Sequence, residues 1–148
     1  MNRPKLKILF LCTGNSCRSQ MGEAWTRHLK GNLIEPHSAG VDPHQLDPRA
    51  VKAMAEVKID ISGQGSKSVE EVAHIPFDYV ITVCDHAHQT CPVFPAQTKV
   101  VHVGFDDPPR LAQGARDEEA AMAHYRRVRD EIKAFVEELP NVLTKQKT

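Results

Sequence analysis

At 148 residues the chain has the size of one domain and can bury a core without structural metals or disulfide staples. Lys plus Arg and Asp plus Glu balance at 19 each, so no basic excess points to nucleic acid or an anionic membrane surface as a partner. Any anion handled here must be held by a local site. Arg3, Lys5 and Lys7 before Ile8-Leu9-Phe10-Leu11 superficially resemble a secretory signal. That apolar run is too short for one, and Cys12-Thr13-Gly14-Asn15 ends it. No segment has the length of a membrane span, and a cytoplasmic protein is expected.

Lys5 to Leu11 reads as a buried strand. From Arg18 the spacing turns helical, with Met21, Ala24, Trp25 and Leu29 on one face and Gly31 placed to stop the helix. Leu33-Ile34 suggests a short second strand ahead of Ser38-Ala39-Gly40. Asp47-Pro48 is a helix start, followed by Ala50, Val51, Met54 and Val57 on one face. Gly63 and Gly65 mark a loop, and Ser68 with Glu71 forms a capping-box pattern. Asp78 to Val83 is the clearest strand, and Thr98 to Val103 is another. Asp117 to Leu139 predicts a long amphipathic helix with Met122, Tyr125, Val128, Ile132, Phe135 and Val136 inward. Alternating strands and helices imply an α/β domain spanning the chain, with a parallel sheet and helices on both faces. Ligands of such sheets bind beyond the carboxyl ends of the strands. Cys12, Cys84 and Asp107 each follow a strand, so they are expected on one rim.

Four cysteines in a reducing compartment point to catalysis or metal binding rather than permanent disulfides. Neither the Cys12–Cys17 nor the Cys84–Cys91 spacing is the C-x2-C of a zinc knuckle. With eight histidines present, zinc is kept as the lesser alternative, and neither metal nor cofactor is expected. Cys12-Thr13-Gly14-Asn15-Ser16-Cys17-Arg18-Ser19 joins a buried strand to a helix N-terminus, whose free N–H groups and dipole suit a tetrahedral oxyanion. Gly14 and Asn15 both tolerate positive φ, which lets successive amides turn inward. Arg18 supplies a planar fork for two oxygens of the anion. The same positive end favours negative charge on the Cys12 sulfur, Ser19 can donate a hydrogen bond to it, and Cys12 becomes a nucleophile aimed at the anion. Thr13, Gly14, Asn15, Ser16, Cys17 and Arg18 are the expected oxyanion binders, with the Cys17 thiol itself read as packed. The loop is neither a Walker A motif nor a dinucleotide fingerprint.

Cys12 to Ser19 resembles the signature loop of the low-molecular-weight protein tyrosine phosphatase fold, and Gln20-Met21-Gly22-Glu23 looks like its thioredoxin-coupled arsenate reductase branch. The resemblance continues through Ser38-Ala39-Gly40, Asp60-Ile61-Ser62, Val83-Cys84, Cys91-Pro92, Gly104-Phe105-Asp106-Asp107-Pro108 and Arg127 to Ile132. It implies a four-stranded parallel sheet in the order 2-1-3-4. It also implies that Asp107 is the general acid that protonates the leaving oxygen; the residues alone do not separate it from Asp106.

In that branch Cys12, Cys84 and Cys91 would form a thiol–disulfide relay that reduces arsenate to arsenite and is regenerated by thioredoxin. Phosphate and sulfate would compete as oxyanions, and a monomer is expected. The alternative is a phosphatase working through a cysteinyl phosphate, which needs neither Cys84 nor Cys91. Cys84 and Cys91 are expected to be accessible, joined by a polar, mobile segment. His86 and His88 in that segment are read as solvent-exposed, the alternative being that they help ionise the two thiols. Some relatives bind potassium at positions matching Asn15, Glu23, Ser38 and an acidic residue; here Lys67 stands in that last place, and an ammonium offers only donors.

Overall fold

The computed structural model describes residues 4–84, 87, 89 and 91–145. Four strands, β1 (Leu6–Cys12), β2 (Ile34–Gly40), β3 (Tyr79–Thr82) and β4 (Lys99–His102), form one sheet in the order β2-β1-β3-β4. Every pairing is parallel, with Leu6 opposite Ile34, Ile8 opposite Tyr79 and Tyr79 opposite Lys99. Around the sheet are α1 (Arg18–Lys30), α2 (Pro48–Glu56), α3 (Val69–Val72), α4 (Pro108–Gln113), α5 (Glu118–Glu137) and α6 (Asn141–Lys145).

The central strand β1 lies between two neighbours and is covered on both faces, which is why Ile8 to Leu11 is an unbroken apolar run. Each of these side chains is essentially withdrawn from water, contributing roughly 1.5–3 kcal/mol apiece. Helices α1 and α5 pack together, and the Trp25 indole N–H donates to the Arg129 carbonyl at 3.1 Å. Asp47 caps α2 through its side chain, Ser68 and Glu71 form the capping box of α3, and Asp117 caps α5.

Three readings change. The second strand runs seven residues and takes in Ser38-Ala39-Gly40; Pro36 is tolerated because β2 is an edge strand. Helix α4 was not anticipated: Pro108 and Pro109 occupy its first positions, where a missing N–H costs nothing. Helix α6 was likewise unread. Among the described residues no helix is long and apolar enough to cross a membrane.

Candidate active site

The turn from β1 into α1 is shaped by what holds its carbonyls. Those of Cys12, Thr13, Gly14 and Ser16 accept from the backbone amides of Val41, Asp42, His44 and Asp47 at 2.8–3.1 Å. The Asn15 carbonyl accepts from Gln20 Nε2 and Ser66 Oγ, and that of Cys17 from the Met21 amide. In a trans peptide the N–H points opposite to the preceding C=O. Six carbonyls turned outward therefore turn the amides of residues 13 to 18 toward the inside of the turn. The segment after β2 acts as a strap around it. Gly40 is obligatory at the strap's origin, because a Cβ there would stand 2.6 Å from the Thr13 carbonyl oxygen.

Asn15 is the one residue of the turn with positive φ, at 51°. Gly14, expected to share that conformation, does not; it is small because the His44 ring would lie 2.7 Å from its Cβ. The Asn15 side chain is fully buried. Its Oδ1 accepts from the Lys67 amide at 2.8 Å, which fixes the amide orientation and directs Nδ2 onto Ser19 Oγ, also at 2.8 Å. Accepting from Asn15 leaves the Ser19 hydroxyl proton available to Cys12 Sγ, 2.9 Å away, while the Asn15 backbone N–H donates to the same sulfur at 3.2 Å. The Cys12 sulfur thus has two hydrogen-bond partners, the Ser19 hydroxyl and the Asn15 backbone amide.

Arg18, the first residue of α1, is mostly buried; its Nη1 donates to the Phe105 carbonyl at 2.8 Å and its Nη2 lies 3.7 Å from Asp107 Oδ2. The two neighbouring aspartates are told apart by geometry. Asp107 lies 3.7 Å from Arg18, whereas the Asp106 carboxylate accepts from Arg127 at 3.1 Å. Two cavities open on this rim. One of about 730 Å³ is lined by Cys12, Gly14, Cys17, His44 and Pro109 among others, and one of about 470 Å³ by Cys84, Phe105, Asp106 and Arg110. Thr13, Arg18 and Asp107 line both and form the wall between them.

All four cysteines are free thiols. Cys84 is buried rather than exposed as expected: it sits at the end of β3 as the fold requires, with Thr13 Oγ1 at 3.3 Å and the Ala87 amide at 3.4 Å from its sulfur. Cys91 is half-buried, its thiol pushed up by burial, and it is not among the described residues lining either cavity. His86 and His88 lie outside the described residues. Cys17 is buried, and burial together with the nearby Asp47 carboxylate raises its thiol well above the ordinary range. It therefore stays protonated, in keeping with a packed thiol.

The site contains groups that sequence reading passed over: Thr13 as a neighbour of Cys84, Gln20 and Ser66 as supports of the Asn15 carbonyl, and His44 at the mouth. Only Gly14 hinted at His44, since a bare Cα invites a close neighbour. Near the floor, Glu23 is buried and accepts from Ser38 Oγ and from Arg27 at 2.6 Å, with the Lys67 ammonium 3.9 Å away. Lys67 thus reaches the same carboxylate that the potassium comparison named. Among the described residues no cluster of three or more His, Cys, Asp or Glu side chains is gathered to hold a metal.

A parallel four-stranded sheet with a cysteine-to-arginine turn at one strand end and an Asp-Pro pair beyond another defines a phosphatase-type fold. The profile of the Low molecular weight phosphotyrosine protein phosphatase family matches residues 7–148, and the chain belongs to that family. It is 50% identical over 125 residues to a Bacillus subtilis protein named arsenate reductase, covering 84% of this chain and 88% of the relative. It resembles a solved arsenate reductase in an oxidized state with TM-score 0.74 at 31% identity, covering 94% of this chain and 97% of that one. A solved arsenate reductase in the phosphate binding state superposes with TM-score 0.65 at 29% identity, over 96% and 99% of the two chains.

Proposed function

We propose that the chain reduces arsenate to arsenite by a relay through Cys12, Cys84 and Cys91 that a thioredoxin regenerates in the cytoplasm. The observation that carries this reading is a second thiol, Cys84, against the wall of the cradle that presents Cys12. A phosphatase needs no thiol there. The relatives named arsenate reductases, one of them in a phosphate-binding state, support an oxyanion as the substrate.

In this mechanism the inward amides of residues 13 to 18 and the Arg18 fork hold the anion. Cys12 Sγ attacks arsenic, and Asp107 protonates the departing oxygen, which leaves as water. Cys84 then attacks Cys12 Sγ. A Cys12–Cys84 bond forms, and the electron pair of the S–As bond passes to arsenic, which leaves as arsenite. Cys91 attacks Cys84, frees Cys12 as a thiolate and leaves a Cys84–Cys91 disulfide, to which a dithiol protein returns two electrons. Cys84 is buried, so this step requires that its sulfur become accessible to Cys91.

The test is arsenate-dependent NADPH oxidation with thioredoxin and thioredoxin reductase, arsenite being measured directly. Sustained turnover that depends on all three cysteines supports the reading; arsenate-independent or absent turnover with intact thiols removes it. A second activity is favoured by one feature: Cys12, Arg18 and Asp107 alone compose a phosphomonoester hydrolase. Slow hydrolysis of p-nitrophenyl phosphate that survives loss of Cys84 and Cys91 is its signature.

A further inference from the structure

The segment 104–107 has no regular structure, yet it carries the carbonyl that engages Arg18 and the carboxylate that faces it. Its position is set from outside. The Phe105 amide donates to the Val83 carbonyl at 3.2 Å, and its ring meets the edge of Phe135 on α5 with centroids 6.2 Å apart. Asp106 accepts from Arg127 Nη2 at 3.1 Å, and the other Arg127 terminal nitrogen is held by Glu131 at 3.1 Å. Asp107 has extended backbone, φ −94° and ψ 99°. The two adjacent carboxylates thus reach different partners, Asp106 to Arg127 on α5 and Asp107 to Arg18 on α1, so a contact that holds one of them constrains the other.

We propose that Arg127 is a positioning residue that selects which of two adjacent carboxylates faces the cradle. By fixing Asp106 on α5 it keeps Asp107 at Arg18 and keeps Asp106 from taking its place. Without that anchor, rotation about the loop brings either acid toward the guanidinium, and the fraction of molecules with a correctly placed proton donor falls. This inference rests on the reading of Asp107 as general acid.

The experiment is single-turnover arsenite release by pre-reduced protein, followed across arsenate concentration and pH, which needs no external reductant. Arg127→Ala is expected to lower the maximal rate about three- to five-fold, the scale of losing one exposed ion pair. The half-saturating arsenate concentration should stay unchanged, and the protein should melt near wild type. Arg127→Lys should restore part of the rate. Asp106→Asn should cause a similar loss, and Arg127→Ala should add nothing to it, because the arginine acts through that carboxylate. Asp107→Asn tests the underlying reading separately: unchanged release there would remove the general acid and this proposal with it. If Asp107→Asn slows release while Arg127→Ala matches wild type, the positioning role is overturned. It is equally overturned if Arg127→Ala costs as much in the Asp106→Asn background as alone.

Discussion

Replacing Asn15 separates the backbone's demand from the side chain's. In Asn15→Ala the residue must still adopt φ 51°, which alanine resists by about 1–2 kcal/mol. The half-buried Lys67 amide also loses its acceptor, a lost hydrogen bond of about 0.5–1.5 kcal/mol. The expected destabilisation is therefore roughly 1.5–3.5 kcal/mol. Asn15→Gly relieves the first contribution and keeps the second, so it should recover about 1 kcal/mol in a denaturant titration. The chemistry should not recover. Both variants remove the asparagine amide that orients the Ser19 hydroxyl beside Cys12. Loss of one hydrogen bond at the sulfur, about 1 kcal/mol, should slow Cys12 alkylation about five-fold. The assay is iodoacetamide modification followed by peptide mapping of Cys12. Wild-type alkylation in Asn15→Gly would refute the reasoning, since it would mean the Ser19 proton is directed without the asparagine.

Cys91→Ser should stop after about one turnover with Cys12 joined to Cys84, read by non-reducing peptide mapping; continued turnover with thioredoxin would eliminate the three-cysteine relay. Cys12→Ser should abolish arsenate reduction and phosphomonoester hydrolysis together, whereas Cys17→Ser should retain most of both, measured by initial rates. Potassium and sodium buffers of equal ionic strength should give the same melting temperature and rate, because the Lys67 ammonium already stands 3.9 Å from Glu23. The Arg126 guanidinium holds the Glu56 carboxyl below its usual range, so this carboxylate contributes stability above its unfolded pKa and loses it as pH falls through the lower folded value. Glu56→Gln should accordingly melt earlier than wild type at neutral pH, with the gap closing below about pH 4.

The strongest local signals in the sequence were those in which one residue type admits few conformations. The apolar run of β1, the Asp47-Pro48 start and the Ser68–Glu71 box each fixed an element, and the Cys12–Ser19 turn followed from its place between a strand and a helix. The extent of β2 was hidden because Pro36 argues against a strand unless the strand is known to be at an edge, a tertiary fact. Helix α4 was hidden in the same way, as Asp107-Pro108-Pro109 reads equally as a turn. Cys84 is buried with Thr13 and the Ala87 amide against its sulfur, a tertiary arrangement that local polarity does not reveal. Most distant of all was the orientation of Asn15. The sequence suggested a residue tolerant of positive φ, but the partner that aims its amide is the backbone of Lys67, and a backbone N–H carries no identity to read.

The six outward carbonyls have a consequence for discrimination. A cradle of main-chain amides and one guanidinium measures charge and tetrahedral shape rather than the identity of the central atom. Phosphate and arsenate present nearly the same outline to such a surface. Selection between them must then be made by reactivity after capture: arsenic accepts an electron pair from sulfur and departs in a lower oxidation state, while phosphorus does not. Abundant phosphate becomes a reversible occupant, and the protein's apparent preference for arsenate will vary with the phosphate around it rather than being a fixed property of the site.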